Sequence, residues 1–350
     1  MKPEPFRIEP IFVPRIWGAR SLVPIYPEKS NLAEPIGEVW LTGVDCKVAS
    51  GPFAGRTLGE AWQEMPLEWR GTRFAEPGDF PILVKFIFPN DKVSIQVHPD
   101  DAYAAAYEKA AGGRGKTEMW HVVLAEHGAH VFVGTKPGVS KQLLLDAIAN
   151  NTLENLLEKR PVHNGDTFFV PAGTPHTIGP GMILCEVQEY SDLTYRVYDY
   201  GRTDAKGKPR ELHVQKALDV MQFGKTVGGM VLPLNLFSEG GKRTLLSACR
   251  YFATERWEFY GVCTTFQSKK SEFDILVALH GEGRIEWNNG SIHFQSGECW
   301  LVPTLLRPFW SKTTRHAVLL RAYLPDVALL RAELRGNGHS KAAVAGTVFD

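Results

Sequence analysis

Short apolar runs, each bounded by Gly, Pro or Asp, dominate the hydrophobic pattern of this 350-residue chain. Runs of four to eight such residues are typical of β-strands rather than helices. The strands predicted before residue 190 are 39–42, 82–88, 93–97, 119–124, 130–133, 167–170 and 182–188. Many short strands separated by turn residues predict a mainly β fold, either a sandwich or a barrel.

Helical periodicity is confined to a few segments. Residues 100–111 combine capping acids and good helix formers with a Gly112-Gly113 stop, so they predict a helix inserted between two strands. Residues 140–159 predict one longer or two shorter amphipathic helices, and residues 210–221 predict another.

The chain contains an internal repeat. Residues 164–171 recur as residues 296–303, with Gly, an acid, Val and Pro at matching positions. We therefore expect two jelly-roll β-barrel domains of the same type with a few inserted α-helices. The expected division is residues 1–235 for a metal-binding catalytic domain, 240–326 for a degenerate second domain and 327–350 for a C-terminal tail, with residues 224–241 as the connection.

Three segments of the first domain supply a set of possible metal ligands. Gln96 and His98 lie two apart in a predicted strand and so project from one face; Glu118 begins another strand, and His176 follows a third in a Pro/Gly-rich turn. A lone histidine is usually structural, but the four together follow a pattern typical of cupins. Mixed nitrogen and oxygen ligation without a thiolate suits zinc or another first-row divalent ion at a catalytic site.

The second domain lacks this set. His176 lies five residues after Pro171, whereas Pro308 lies five residues after Pro303. We therefore expect one metal ion per chain, with the second domain bracing the first through apolar residues such as Ile275, Val277, Leu301 and Val302.

Other candidates adjoin the metal ligands. Lys116 lies two residues before Glu118 in a Gly-rich segment, and its alternative interpretation is a solvated surface lysine. Glu186 and Asp192 fall on one face of an extended run if no bulge intervenes, and the alternative interpretation of that run is an exposed edge strand. The planar fork of Arg196 suits a phosphate or a developing oxyanion.

Composition excludes several classes of partner. Lys+Arg and Asp+Glu number 39 each, so no overall field attracts nucleic acid or an anionic membrane. The five cysteines are scattered and never in CxxC spacing, which favours reduced thiols. Without a signal peptide or a span of about 20 apolar residues, we expect a cytoplasmic protein that binds neither membrane nor nucleic acid; the sequence does not indicate its oligomeric state.

Longer motifs carry a family resemblance. The segments 15–18, 36–41, 80–86, 94–101, 115–120, 171–176, 195–202 and 207–213 are similar to those of type I mannose-6-phosphate isomerases of the short bacterial form, which belong to the cupin superfamily. The resemblance spans about residues 6–325.

This resemblance implies a zinc-dependent aldose-ketose isomerase. Zinc would be held by Gln96, His98, Glu118 and His176, with Arg196 and Lys116 as catalytic residues. The implied reaction interconverts mannose 6-phosphate and fructose 6-phosphate through a cis-enediol.

The general base is left open by the sequence, with Lys116 and Asp192 ranked ahead of Glu186. The alternatives to this isomerase are an isomerase of another phosphosugar, a metal-dependent dioxygenase and a non-catalytic sugar-phosphate-binding cupin.

Overall fold

The structure, a computed structural model, describes residues 2–71, 73, 78–203, 206–224, 228–238, 240–263, 272–306 and 309–350. Its strands are β1 (Phe6–Ile8), β2 (Ile11–Ala19), β3 (Ile36–Trp40), β4 (Ile82–Ile87), β5 (Ile95–Val97), β6 (Glu118–Ala125), β7 (His130–Thr135), β8 (Leu157–Pro161), β9 (Thr167–Val170), β10 (His176–Ile178), β11 (Met182–Glu189), β12 (Tyr195–Tyr198), β13 (Gly229–Met230), β14 (Leu234–Leu236), β15 (Gly241–Ala248), β16 (Ala253–Cys263), β17 (Asp274–His280), β18 (Glu282–Trp287), β19 (Gly290–Gln295), β20 (Cys299–Val302) and β21 (Phe309–Tyr323). Its α-helices are α1 (Leu58–Glu64), α2 (Leu67–Arg70), α3 (Asp101–Tyr107), α4 (Lys141–Ala149), α5 (Val214–Val220), α6 (Val327–Gly336) and α7 (Lys341–Ala345).

The described strands form three antiparallel sheets. Sheet A has the order β13-β9-β6-β11-β4-β3-β2, and sheet B has the order β12-β5-β10-β7-β8. Sheet C has the order β1-β20-β17-β21-β16-β15-β14, with the β18–β19 hairpin attached to β21. This arrangement confirms the mainly β, cupin-like fold expected from the sequence.

Sheets A and B enclose the interior of the first barrel. Trp120 and Phe168 of sheet A pack with Val131, Val133 and Ile178 of sheet B in one buried cluster. The outer face of sheet B is covered by α4 and α5, whose apolar side chains pack on β5 and β12. Successive residues of a strand point to opposite faces, so the residues between these apolar positions face the barrel interior.

The outer face of sheet A packs against sheet C. Ile275, Val277 and Leu301 of sheet C share a buried cluster with Phe86 and Val187 of sheet A. These residues brace the first barrel as the sequence predicts, since burial of apolar area is the main favourable term in folding.

Val302 is the exception among the expected bracing residues. It follows Leu301 directly in β20 and so points the other way, into the interior of the second barrel with Trp257 and Leu276. The prediction that it contacts the first barrel is wrong because it ignored this alternation.

Two other segments differ from the sequence-based expectation. Residues 157–161 form strand β8 instead of continuing a helix, because Leu157 to Pro161 pair with β7. For β11, pairing with β4 on one side and β6 on the other excludes the alternative interpretation of an exposed edge strand. The first predicted helix is split into α3 and a 3-10 turn at Lys109–Ala111.

The chain termini both join the second barrel. β1 pairs with β20 of sheet C, and the chain passes from sheet A to sheet C between β13 and β14. Residues 327–350, set apart as a tail in the sequence, form α6 and α7, whose Leu334 and Val344 pack with Leu245 of sheet C. The expected domain boundaries remain a proposal.

The remaining expectations concern Pro308 with the connection between the domains, the cysteines, and membrane-spanning helices. Pro308 and parts of the expected connection at 224–241 lie outside the described residues. Cys46, Cys185, Cys249 and Cys299 are buried free thiols. In the part of the chain that the structure describes, no helix has the length and apolar character needed to cross a membrane.

Candidate active site

Sheet B brings three candidate side chains onto one row across its inner face. In β5, Ile95 and Val97 pack toward the helices, so Gln96 between them points into the barrel. Gln96 pairs in register with Arg196 of β12 on one side and with His176 of β10 on the other. Directly opposed residues project from the same face, so all three side chains share the barrel interior.

Two buried imidazoles meet at the end of this row. The Nδ1–H groups of His98 and His176 donate to the carbonyl oxygens of Leu193 and Thr174, each at 2.8 Å. That bond fixes the tautomer and leaves a lone pair on Nε2 of each ring. Burial lowers the pKa of both imidazoles, to about 3 for His176, so both rings are neutral at physiological pH.

Glu118 reaches these rings from sheet A. Its Oε1 lies 3.3 Å from Nε2 of His98, and its Oε2 lies 3.7 Å from Nε2 of His176. The potential ligand atoms of the three residues lie within 4.8 Å of one another, and within the described ranges no second group of three or more His, Cys, Asp or Glu converges in this way. Oε2 of Glu118 is buried and has no hydrogen-bond partner among the residues that the structure describes.

Lys116 supplies positive charge to this cluster. Its buried ammonium bonds Oε1 of Glu118 and lies 3.2 Å from Nε2 of His98. Burial alone would raise the pKa of Glu118, but the Lys116 ammonium holds it well below its usual range. Lys116 is therefore not the solvated surface lysine of the alternative interpretation.

A cavity of about 470 Å³ opens from this cluster toward the surface. Its lining includes five of the residues predicted from sequence: Gln96, Lys116, Glu186, Asp192 and Arg196. Pockets for small ligands typically measure about 300–1,000 Å³, so a sugar phosphate fits this volume.

Arg196 is distinguished from the neighbouring arginines by its partners. Arg15 forms a bidentate pair with Glu38 at 2.8 and 3.1 Å, and Arg210 donates to Asp199 at 2.8 Å. The Arg196 guanidinium instead donates from Nη1 to the carbonyl oxygen of Glu211 at 2.8 Å, and its buried Nε has no partner in the described part of the chain. Arg196 thus keeps donors for an incoming anion.

The two candidate acids differ in environment. Glu186 is buried in β11 and accepts a 3.0 Å bond from Trp120 Nε1. Burial and the nearby charge of Glu118 raise its pKa to about 7. Asp192 is half exposed, and its Oδ1 lies 3.0 Å from Nζ of Lys85. A carboxyl that titrates near neutral pH is suited to proton transfer, whereas Asp192 is held as the partner of a buried lysine.

Sequence reasoning missed three basic residues of the cavity, Arg15, Lys85 and Arg210. All three fall within the segments that carried the family resemblance, namely 15–18, 80–86 and 207–213. Their place in those segments was the available indication. Their contribution to the cavity depends on pairing between distant strands, such as that of Lys85 with Glu186.

Histidines of the second barrel do not form a comparable cluster among the described residues. His316 stacks on Tyr260 and lies 3.1 Å from Oε1 of Glu258, while His280 contacts it ring to ring at 5.3 Å between centroids. The polar centre of that barrel is occupied by Arg321, which donates to Asp274 at 2.7 Å and to Glu255 at 3.1 Å.

Comparisons with known proteins agree with this geometry. Residues 6–123 match the family model described as phosphomannose isomerase type I, catalytic domain. A mannose-6-phosphate isomerase of Streptococcus mutans is 33% identical over 309 residues, which cover 85% of this chain and 94% of that protein. One from Bacillus subtilis is 33% identical over 316 residues, covering 88% of this chain and 96% of the relative.

The fold is also that of a solved relative. The crystal structure of the mannose 6-phosphate isomerase from Bacillus subtilis superimposes with a TM-score of 0.82 at 30% sequence identity, covering 91% of this chain and 99% of that chain. The fold, the share of the chain that is covered and the sequence identity therefore point to one family.

Proposed function

Because the chain belongs to the type I mannose-6-phosphate isomerase family, and is therefore an isomerase, we propose that it interconverts mannose 6-phosphate and fructose 6-phosphate with one zinc ion bound per chain. The observation that carries this proposal is the convergence of two neutral imidazoles and a buried carboxylate beside a cavity lined by Arg196.

The donor set fits a divalent metal ion. A buried oxygen without a partner, such as Oε2 of Glu118, costs about 1–3 kcal/mol, and a coordinated cation removes that cost. The Nε2 lone pairs of His98 and His176 face the same carboxylate. Two nitrogens with oxygen donors and no thiolate suit zinc.

Gln96 is the proposed fourth ligand. Its Nε2 lies 3.2 Å from Nε2 of His176, and a half-turn of the amide exchanges this nitrogen for the oxygen that a metal needs. When bound, zinc supplies Lewis-acid polarisation of the sugar's carbonyl or hydroxyl oxygens.

The arginines that line the cavity support a phosphosugar substrate. Arg15 and Arg210 are balanced by Glu38 and Asp199, so they add hydrogen-bond donors with little net charge. Arg196 lacks a carboxylate partner among the described contacts, and it can donate to the anionic oxygen that develops as the enediol forms.

Isomerisation requires one proton to leave C2 and one to reach C1, with a second proton passing between the two oxygens. We assign the carbon-bound proton to Glu186, a buried carboxyl that lines the cavity and whose pKa is raised by burial, which makes it a stronger base than an exposed carboxylate. Lys116, whose ammonium lies at the metal ligands, can donate to the sugar oxygens. We rank Glu186 ahead of Asp192 as the general base, because the Asp192 carboxylate is bonded to Lys85.

A coupled assay on the purified, zinc-loaded protein tests this function. We expect turnover of mannose 6-phosphate and fructose 6-phosphate to exceed turnover of glucose 6-phosphate and of unphosphorylated mannose. Turnover confined to glucose 6-phosphate would identify another phosphosugar isomerase. Binding of these sugars without any turnover would identify a sugar-phosphate-binding protein.

A further inference from the structure

The segment that carries Lys116 is held through three consecutive backbone N–H groups. Gly115 N–H donates to Oδ1 of Asp101 at 3.0 Å, and Lys116 N–H donates to the carbonyl oxygen of Pro99 at 3.0 Å. Thr117 N–H donates to Oε1 of Glu189 at 2.7 Å. The backbone on both sides of Lys116 is thus fixed by acidic side chains.

These two acids also contact each other. Burial and the charge of Asp101 raise the pKa of Glu189 to about 8, whereas the pKa of Asp101 is lowered despite its partial burial, through bonds from Tyr251 and Gly115. At neutral pH Glu189 therefore keeps its proton and donates it to the Asp101 carboxylate, while its carbonyl oxygen accepts from Thr117. The other titratable groups facing this pair are Arg250, Tyr251 and Cys249.

The second barrel completes the arrangement. The turn between β15 and β16, closed by a 2.8 Å bond from Cys249 N–H to the carbonyl oxygen of Phe252, presents Tyr251 and Arg250 to α3. Tyr251 donates its hydroxyl to Oδ2 of Asp101 at 2.6 Å, and Arg250 lies 3.2 Å from the same oxygen. Asp101 thus links the second barrel directly to the segment before Glu118.

The backbone of the Lys116 segment packs closely against the start of α3. A Cβ added at Gly115 would lie 2.6 Å from the backbone nitrogen of Asp101, so the N-terminal end of α3 rests directly on the Lys116 segment. A shift of about 1 Å in a catalytic group can cost about a hundredfold in rate.

We infer that Asp101 is a positioning residue, through which Tyr251 of the second barrel orients Lys116 for isomerisation. The inference rests on the proposed function, because it assigns Lys116 a role in that reaction. Asp101 itself does not line the cavity and acts through the backbone of its neighbours.

Tyr251→Phe is the sharpest test, since it removes one hydroxyl from the second barrel and no group from the cavity. We expect kcat to fall about tenfold while KM for mannose 6-phosphate and the zinc content stay unchanged, and the Gly115 amide proton to exchange faster with solvent. Asp101→Asn should show a larger loss of the same kind. Tyr107→Phe, at an exposed tyrosine on α3, is the matched control and should resemble the wild type.

Glu189→Gln provides a second readout. The amide keeps both hydrogen bonds, to Thr117 and to Asp101, but cannot ionise. In the wild type, ionisation of Glu189 as pH rises through about 8 places two carboxylates in contact and loosens the segment. The ratio of Glu189→Gln kcat to wild-type kcat should therefore rise between about pH 7 and pH 9.

The outcomes separate this inference from the proposed function. Unchanged kcat in both Tyr251→Phe and Asp101→Asn, in an active wild-type background, would overturn the positioning role alone. Faster exchange at Gly115 with constant kcat would also overturn it, because the contact would then be only structural. A wild-type protein without isomerase activity would overturn the proposed function and the positioning role together.

Discussion

Glu118 and Asp274 occupy equivalent positions in the two barrels. Glu118 pairs in register with Val170, and Asp274 pairs with Val302, the matching valine of the internal repeat. Glu118 lies in the proposed metal site of the first barrel. Asp274 instead bonds Arg321 at 2.7 Å, so an arginine neutralises the corresponding carboxylate in the second.

The equivalence extends along the neighbouring strands. Glu186 lies opposite Trp120, two residues beyond Glu118, and Arg321 lies opposite Leu276, two residues beyond Asp274. On the next strand, Lys85 pairs with Glu186, and Glu255 pairs with Arg321. The second barrel thus has an acid where the first has Lys85 and a base where the first has Glu186, and its two residues pair with each other. Among the described atoms, neither Asp274 nor Glu255 has a buried carboxylate oxygen without a partner.

Arg321→Met should destabilise the protein without removing its metal. Breaking a buried ion pair from one side leaves uncompensated carboxylates, and such changes typically lower the free energy of unfolding by about 3–5 kcal/mol. Denaturant titration together with metal analysis of the folded fraction would measure both effects. Arg315→Met, at an exposed position of the same strand, is the matched control. A second zinc ion that is lost from Arg321→Met would contradict a purely structural role.

The buried carboxylate of Glu255 in this cluster predicts that the protein loses stability at acid pH. Burial opposes the charge of Glu255, but Arg243 and Arg321 lower its pKa to about 2 in the folded protein. Its stabilising contribution is therefore present above about pH 4.5 and is lost as pH falls toward 2. The stability difference between the wild type and Glu255→Gln should shrink over that range in denaturant titrations. A difference that is constant down to pH 2 would contradict the assignment.

His98→Ala and His176→Ala should each lose zinc as well as activity. Each substitution removes one nitrogen whose lone pair faces Glu118, and an incomplete ligand set binds a metal ion weakly. Metal analysis after exhaustive dialysis should give one zinc per chain for the wild type and for His280→Ala in the second barrel. Full occupancy in either active-site variant would refute the ligand assignment.

Arg196→Ala should keep zinc but lose turnover. Loss of one preorganised donor to a developing oxyanion typically costs about a hundredfold in kcat. Arg160→Ala, at an exposed arginine on β8, controls for the loss of a positive charge. Steady-state kinetics with metal analysis would separate the effects, and near-normal kcat in Arg196→Ala would exclude the proposed role.

Glu186→Gln should abolish the acid limb of the pH–rate profile. A general base must be deprotonated to act, and burial raises the pKa of Glu186 above its usual range, so wild-type kcat should rise with pH on the acid side of its profile. The variant should be slow at every pH, because an amide cannot accept the C2 proton. An unchanged pH–rate profile in Glu186→Gln would contradict this assignment and would leave Lys116 or Asp192 as the general base.

Local patterns in the sequence account for much of this site. Gln96 and His98 share a face because they lie two apart, and Lys116 and Glu118 do so for the same reason. The repeat indicated that the second barrel differs at the position of His176. These inferences need only the geometry of one strand or a short motif.

Features that depend on contacts between distant segments were missed. Lys85 enters the cavity through pairing of β4 with β11, and Asp101 meets Tyr251 across 150 positions of sequence. The sequence also did not show which of Leu301 and Val302 faces the first barrel. Adjacent residues of a strand point to opposite faces, but a run of consecutive apolar residues does not reveal which face packs against the other barrel.

The central claim, a metal-dependent sugar-phosphate isomerase, is tested most directly by one assay of the wild-type protein. Conversion of fructose 6-phosphate to mannose 6-phosphate is measured before chelation, after removal of the chelated metal, and after return of one equivalent of zinc. We expect activity to disappear on chelation and to recover with zinc. Full activity in protein shown by metal analysis to be free of metal would contradict the account.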